Sequence, residues 1–123
     1  MNFTGMLKEG SLQDKVILIT GGGTGLGKSM GKYFMELGAN LIITSRKEDV
    51  LDKTAKEFTD YSGEILPIAG DVRNAKEVEH IIHTSLDKFS NIDVLVNNAA
   101  GNFISPTERL TTKAFDVIVD IVL

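Results

Sequence analysis

Residues 15–29 read KVILITGGGTGLGKS, and the fold turns on how this stretch is parsed. Lys15 to Thr20 is a short apolar, β-branched run with charge before it and glycine after it, which reads as a buried strand. From Gly25 to Leu37, the positions Leu26, Met30, Tyr33, Phe34 and Leu37 recur at three- and four-residue intervals, one face of a helix. Gly38 stands where a helix stop is expected. The turn between them satisfies two phosphate-binding patterns. As G-x-x-x-x-G-K-S, Gly22 to Ser29 match the loop that cradles nucleoside triphosphates. As G-x-x-x-G-x-G, Gly21, Gly25 and Gly27 have a spacing found in dinucleotide-binding folds.

The strand–helix unit repeats outward from this stretch. Asn40 to Thr44 is a second buried strand, and Val50, Leu51, Ala55 and Phe58 fall at helical spacing within residues 47–59. Ile65 to Ala69 is a third strand, in which Pro67 predicts an irregularity or a less protected ladder position. Val78, Ile81, Ile82, Leu86 and Phe89 share one face of a helix over residues 74–89. Ile92 to Val96 is a fourth strand, and the stretch from about Thr111 to Leu123 reads as an apolar helix. Strands alternating with helices predict an α/β fold, a Rossmann-type parallel sheet with helices on both faces, broken off after the fourth strand and its following helix. Ligands of such sheets bind at the carboxyl ends of the strands. There the chain keeps GGGTGLG, SRK, GDVR and NNAAGN in turn.

Bulk properties narrow the function classes. The chain has 123 residues, enough for one domain at most, with 42% hydrophobic and 24% charged residues. A net charge of −4 argues against nucleic-acid partners, which favour a basic field. No cysteine is present, so disulfide and thiolate chemistry are excluded. His80 and His83 stand three apart without further ligand types nearby, so a solvated helix face is expected rather than a metal site. No segment approaches the ~20 apolar residues of a membrane span. Residues 1–14 lack the apolar core of a signal peptide and read as an N-terminal extension, with residues 15–123 as the nucleotide-binding part. The expected location is cytoplasmic.

A triphosphate-binding loop needs a magnesium partner, usually an aspartate after a hydrophobic strand. Asp71 is a formal candidate, with Ser29 as the second ligand, but the fourth strand ends in Asn97 and Asn98. Five glycines within Gly21 to Gly27 let backbone approach a pyrophosphate at a helix N-terminus without any lysine. On that reading Lys28 and Ser29 are the first turn of the helix, and the loop is a dinucleotide loop. The second strand sets the cofactor. NAD-binding folds usually place an acid near its end to hold the ribose 2′-hydroxyl, whereas here Thr44-Ser45-Arg46-Lys47 contains none before Glu48. Arg46 is suited to clamp a 2′-phosphate, favouring NADP(H), unless Arg46 and Lys47 merely open the next helix. Asp71 is placed either to accept the adenine amino group, with Val72 against the ring, or to cap the helix near Asn74, a role open to Asn74 itself. Asn97 to Asn102 combine amides with residues too small to obstruct a cofactor.

TGGGTGLG after the first strand, GDV after the third and NNAAG after the fourth resemble the short-chain dehydrogenase/reductase superfamily. The similarity runs from about Leu12 to the last residue. NNAAGNFISPTERL (Asn97 to Leu110), with GGGTGLGK and SRK, is similar to the 2,4-dienoyl-CoA reductases. That resemblance implies NADPH-dependent reduction of a 2,4-dienoyl-CoA thioester in the degradation of unsaturated fatty acids, by a homo-oligomer, a tetramer. It places pyrophosphate on Gly21, Gly22, Gly23, Thr24, Gly25 and Leu26, the 2′-phosphate on Arg46 and adenine on Asp71 and Val72, with Asn98 and Ala99 also at the cofactor. It makes Asn102 the donor to the thioester carbonyl oxygen, sets Phe103 on the acyl chain, and brings Arg73 to the coenzyme A phosphates and Thr111 to the substrate. A 3-oxoacyl or enoyl thioester reductase of the same superfamily, or a non-catalytic nucleotide-binding module, are the alternatives.

The superfamily's catalytic Tyr and Lys lie on later segments. Tyr33 and Tyr61 fall in the first helix and before the third strand, where neither substitutes for them. The last residues, DIVL, lie inside an apolar pattern with no cap, and the expectation is the N-terminal part of a longer reductase, inactive alone.

Overall fold

The computed structural model describes residues 5–99. Its elements run β1 (Val16–Thr20), α1 (Gly25–Glu36), β2 (Asn40–Ser45), α2 (Glu48–Glu57), β3 (Ile65–Ala69), α3 (Ala75–Phe89) and β4 (Val94–Val96). The strands form one parallel sheet in the order β3-β2-β1-β4, with Ile17 opposite both Leu41 and Val94. The chain therefore steps from β1 to β2 to β3 in one direction, then crosses back to the far side of β1. That reversal opens a crevice between the carboxyl ends of β1 and β4, where open α/β sheets take their ligands.

The continuous apolar strands are explained by burial on both faces. Alternate residues part to two cores. Ile17, Ile19, Leu41 and Ile43 pack with Met35, Leu51 and Phe58 from α1, α2 and its C-terminal end. Val16, Leu18, Ile42 and Ile68 pack with Ile81 of α3 on the opposite face. Pro67 stands opposite Ile43 in β3, the outermost described strand on that side, so its missing N–H costs no ladder bond to an inner neighbour.

The packing face of α1 differs from the expected stripe. Its buried residues are Gly27, Gly31 and Met35, while Met30 and Phe34 are half-buried and Leu26 is 70% exposed. The physical reason is the absence of side chains at 27 and 31. A Cβ on Gly31 would stand 2.8 Å from Leu41 Cδ2, so the helix seats its backbone on the sheet and turns Leu26 away. On α3, Ile81 and Ser85 are buried and Leu86 is exposed; the Ser85 hydroxyl satisfies itself by donating to Ile81 O at 2.6 Å.

β4 is shorter than the apolar run from Ile92. Asp93 interrupts it: its N–H donates to Val16 O and its Oδ2 accepts from Val16 N, each at 2.8 Å. Ahead of β1, Leu12 packs against the first core and its N–H donates to Leu37 O at 3.1 Å, which seats the N-terminal segment on the end of α1. No helix among the described residues is long and apolar enough to cross a membrane.

Among the described residues nothing pairs with the outer edge of β4, and Val94 and Leu95 are 43% and 53% exposed. An apolar strand edge of this kind templates association. The 123-residue chain expressed alone is therefore expected to self-associate in light scattering and to melt without a single sharp transition. A monomer that unfolds cooperatively would contradict this.

Candidate functional site

The loops after all four strands converge on one cavity of about 500 Å³. That lies within the roughly 300–1,000 Å³ typical of ligand sites. Gly21, Gly23, Thr24, Gly25 and Leu26 line it from the first loop, Arg46 and Lys47 from the second. Asp71, Val72 and Arg73 line it from the third, and Asn98 and Ala99 from the fourth.

The glycine loop is held by its carbonyls. Gly21 has φ 69°, a left-handed conformation that favours glycine, and its N–H extends the ladder to Thr44 O at 2.8 Å. Asn98 Nδ2 donates to Gly21 O at 3.2 Å, and the buried Thr54 hydroxyl of α2 donates to Gly23 O at 2.8 Å. Gly21 is thus fixed through both its N–H and its carbonyl, and Gly23 through its carbonyl, so the loop is held in shape at the cavity wall. Thr24 occupies the N-cap position of α1 in extended conformation and makes no side-chain cap, so the first helical N–H groups keep their capacity for an anion. Gly27 permits the close contact beneath: a Cβ there would collide with Gly21 O and lie 2.6 Å from Asn98 Nδ2. Gly22, expected with its neighbours to hold the pyrophosphate, does not line the cavity. It packs on β2, where a Cβ would stand 2.5 Å from Ile43 Cγ2.

Thr20 ties the fourth loop to the first. Its hydroxyl accepts from Asn98 N and Ala99 N, each at 3.0 Å, and donates to Val96 O at 3.4 Å. Sequence reasoning places Thr20 at the end of the first strand and misses Thr54. Their signal is visible in the sequence: each is a hydroxyl breaking an otherwise apolar pattern, Thr20 after VILI and Thr54 on the stripe of Leu51 and Phe58. Asn98 thus ties the two loops through its backbone N–H and Nδ2 while also lining the cavity.

At the second loop, the Ser45 hydroxyl accepts from Lys47 N at 3.2 Å and turns the chain before α2. Lys47 is the N-cap residue, so Arg46 lies outside the helix, exposed at the cavity wall. Glu48 and Asp49 begin the helix itself, where negative charge favours the macrodipole.

At the third loop the capping role belongs to Asn74, whose Oδ1 accepts from Lys76 N at 3.0 Å and Glu77 N at 3.3 Å. Asp71 instead accepts from Arg73, through the backbone N–H at 2.9 Å and the guanidinium at 2.8–3.2 Å. The Arg73 side chain foremost, then its backbone N–H, pulls the Asp71 carboxyl down to about 2, so it is ionised at physiological pH. Arg73, expected at the phosphates of coenzyme A, thus stands in the same cavity as Arg46 and is paired with Asp71.

The triphosphate reading of the loop fails on geometry. Lys28 Nζ pairs with Glu57 Oε2 at 2.6 Å, and with Ser29 it lines a separate depression against Phe58 and Tyr61. Neither residue reaches the cavity that Gly21 and Gly25 line. His80 and His83 are both exposed on α3, and no group of three or more potential metal ligands gathers among the described residues. Asn102, Phe103 and Thr111 lie outside the described residues.

Comparison with known proteins agrees with this architecture. The chain is 46% identical over 119 residues to an uncharacterized oxidoreductase of Caenorhabditis elegans, covering 95% of this chain and 38% of that protein. It is 43% identical over 120 residues to a probable 2,4-dienoyl-CoA reductase of the same organism, covering 96% and 39%. The crystal structure of a short chain dehydrogenase from Bacillus anthracis superposes with a TM-score of 0.84 at 40% identity, over 92% of this chain and 47% of that one. The chain thus spans about two fifths of the length of the curated relatives it matches. The short chain dehydrogenase family model matches residues 15–123, from the charge before β1 through every loop that builds the cavity. By its glycine loop, its parallel sheet and that match, the chain belongs to the short-chain dehydrogenase family.

Proposed function

We propose that the chain is the cofactor-binding part of an NADPH-dependent 2,4-dienoyl-CoA reductase that acts in the degradation of unsaturated fatty acids. The observation that carries the cofactor choice is the mouth of the cavity after β2. Arg46 and Lys47 line it where a carboxylate would otherwise hold a ribose 2′-hydroxyl. The similarity to relatives named dienoyl-CoA reductases supports the substrate class.

The residues present fit a dinucleotide. An uncapped helix N-terminus above a glycine cradle suits a pyrophosphate, and a side chain at Gly27 would collide with Gly21 O beneath it. Gly21, Gly23, Thr24, Gly25 and Leu26 would hold the pyrophosphate, and Arg46 the 2′-phosphate by a bidentate contact. Asp71 would accept the adenine amino group, with Val72 beside the ring. Asn98 holds the loop in shape and Ala99 leaves room beside it. When bound, the cofactor supplies a hydride. Asn102 would then donate to the thioester carbonyl oxygen, where negative charge gathers as the conjugated system is reduced. Phe103 and Thr111 would contact the acyl substrate. The active form is a homo-oligomer, a tetramer.

Arg46→Ala in the full-length protein tests the cofactor assignment. Losing a hydrogen bond to a charged group weakens binding by about 10- to 100-fold, so NADPH affinity should fall by that factor while NADH affinity stays nearly constant. Equal losses in the two titrations would remove Arg46 from the 2′-phosphate. Turnover of a 3-oxoacyl thioester in preference to a 2,4-dienoyl-CoA would redirect the substrate assignment within the family.

A further inference from the structure

α2 packs against the glycine loop as well as against the sheet. A Cβ on Gly23 would stand 3.3 Å from Val50 Cγ1 and 3.4 Å from Leu51 Cδ2. One turn beyond Val50, the Thr54 hydroxyl donates to Gly23 O at 2.8 Å, and Thr54 is 1% exposed. A buried hydroxyl on a helix commonly donates to a carbonyl one turn back, as Ser85 does to Ile81 O on α3. Thr54 instead reaches out of its own helix. Val50 is the one residue of α2 in the cavity wall, so Thr54 meets nothing that the cavity holds.

The peptide joining Gly23 to Thr24 is planar and trans, so its carbonyl and its N–H point in opposite directions. With Gly23 O drawn towards α2, Thr24 N–H is turned away from that helix. Glycine resists rotation of this peptide little, and Thr24 is extended with no side-chain cap, so the Thr54 hydroxyl is what fixes the dipole. Without it the carbonyl lacks a donor, and the cavity that Gly23 and Thr24 line offers it water instead. A carbonyl turned that way presents negative charge to an anion in the loop. Complete inversion would carry the β-branched Thr24 to positive φ, so the peptide tilts and the loss is graded.

We infer that Thr54 is a positioning residue whose hydroxyl, donated from α2, fixes the polarity of the Gly23–Thr24 peptide and so sets the affinity of the glycine loop for a pyrophosphate group. This rests on the reading that the loop takes the pyrophosphate of a dinucleotide.

The test is a set of titrations of the full-length protein with NADPH, NADH and adenosine 2′-phosphate, which carries the 2′-phosphate but no pyrophosphate. Thr54→Val, close to isosteric, should weaken NADPH and NADH by the same factor of about ten, as expected when a carbonyl loses its donor. Adenosine 2′-phosphate should stay within about twofold. Thr54→Ser, which keeps the hydroxyl, should hold both dinucleotides within about threefold whatever its melting temperature. Thr54→Cys, a weak donor, should fall between Ser and Val. Equal losses in Thr54→Ser and Thr54→Val would assign the effect to packing and overturn the inference. So would a Thr54→Val protein that binds both dinucleotides normally, or one that loses adenosine 2′-phosphate as strongly. A wild type that binds neither dinucleotide would overturn the dinucleotide reading itself.

Discussion

Gly27→Ala is expected to weaken nucleotide binding by at least about tenfold and to destabilise the full-length protein by roughly 1–3 kcal/mol, the usual cost of overpacking. The added Cβ meets Gly21 O, a backbone atom already held by Asn98 Nδ2. The Asn98 side chain, also 2.6 Å away, could rotate aside, but the backbone oxygen could not. Relief requires α1 to lift away from the loop, which moves the helix N-terminus off the position that suits a pyrophosphate. Thermal melts and NADPH titrations of the variant read the two effects separately. Lys28→Ala provides the contrast. Lys28 is ion-paired with Glu57 on the far side of the helix, so its removal should leave NADPH affinity within about twofold, exposed pairs contributing little. A loop that bound triphosphate through this lysine would show the opposite order, with Lys28→Ala the damaging change.

Asn102→Ala in the full-length enzyme is expected to lower kcat by roughly 10²–10³, the effect of deleting one donor to a developing oxyanion. The amide acts on the thioester carbonyl oxygen only as charge accumulates there. NADPH affinity should therefore be little altered, and kcat and kcat/KM should fall together. Steady-state assays on a 2,4-dienoyl-CoA thioester, with a parallel NADPH titration, check both. Turnover near the wild-type rate would remove Asn102 from the catalytic set. Asn102 lies outside the described residues, so this expectation stands on NNAAGN and its resemblance to the dienoyl-CoA reductases.

The elements were legible because each has a local signature. Strands buried on both faces must be apolar throughout, and VILIT and NLIITS are so read within a residue or two of their limits. The cavity wall was legible for a related reason. Parallel βαβ units bring every strand's carboxyl end to one side, so the four unusual loops had to meet. Gly21, Arg46, Asp71 and Ala99, far apart in the chain, line the one cavity accordingly.

Identity and spacing did not show what each residue spends its polar atoms on. Asn98, expected at the cofactor, also holds Gly21 O; Arg73, expected at the phosphates of coenzyme A, also holds Asp71. Thr54, which sequence reasoning misses, anchors Gly23 O from 31 residues away. These partners are chosen by which surfaces face one another after packing, and no periodicity encodes that choice.

By itself, the sequence determined that this is a parallel α/β nucleotide fold with a glycine loop and a basic second loop, since hydrophobic period, β-branching and turn residues act over a few neighbours. Tertiary structure alone decided that β4 lies beside β1, opening the crevice at the switch point. It also decided that α1 packs through Gly27 and Gly31 rather than through Leu26. A hydrophobicity pattern counts what a side chain contributes. A glycine contributes the distance at which two backbones can meet, and that quantity exists only between elements.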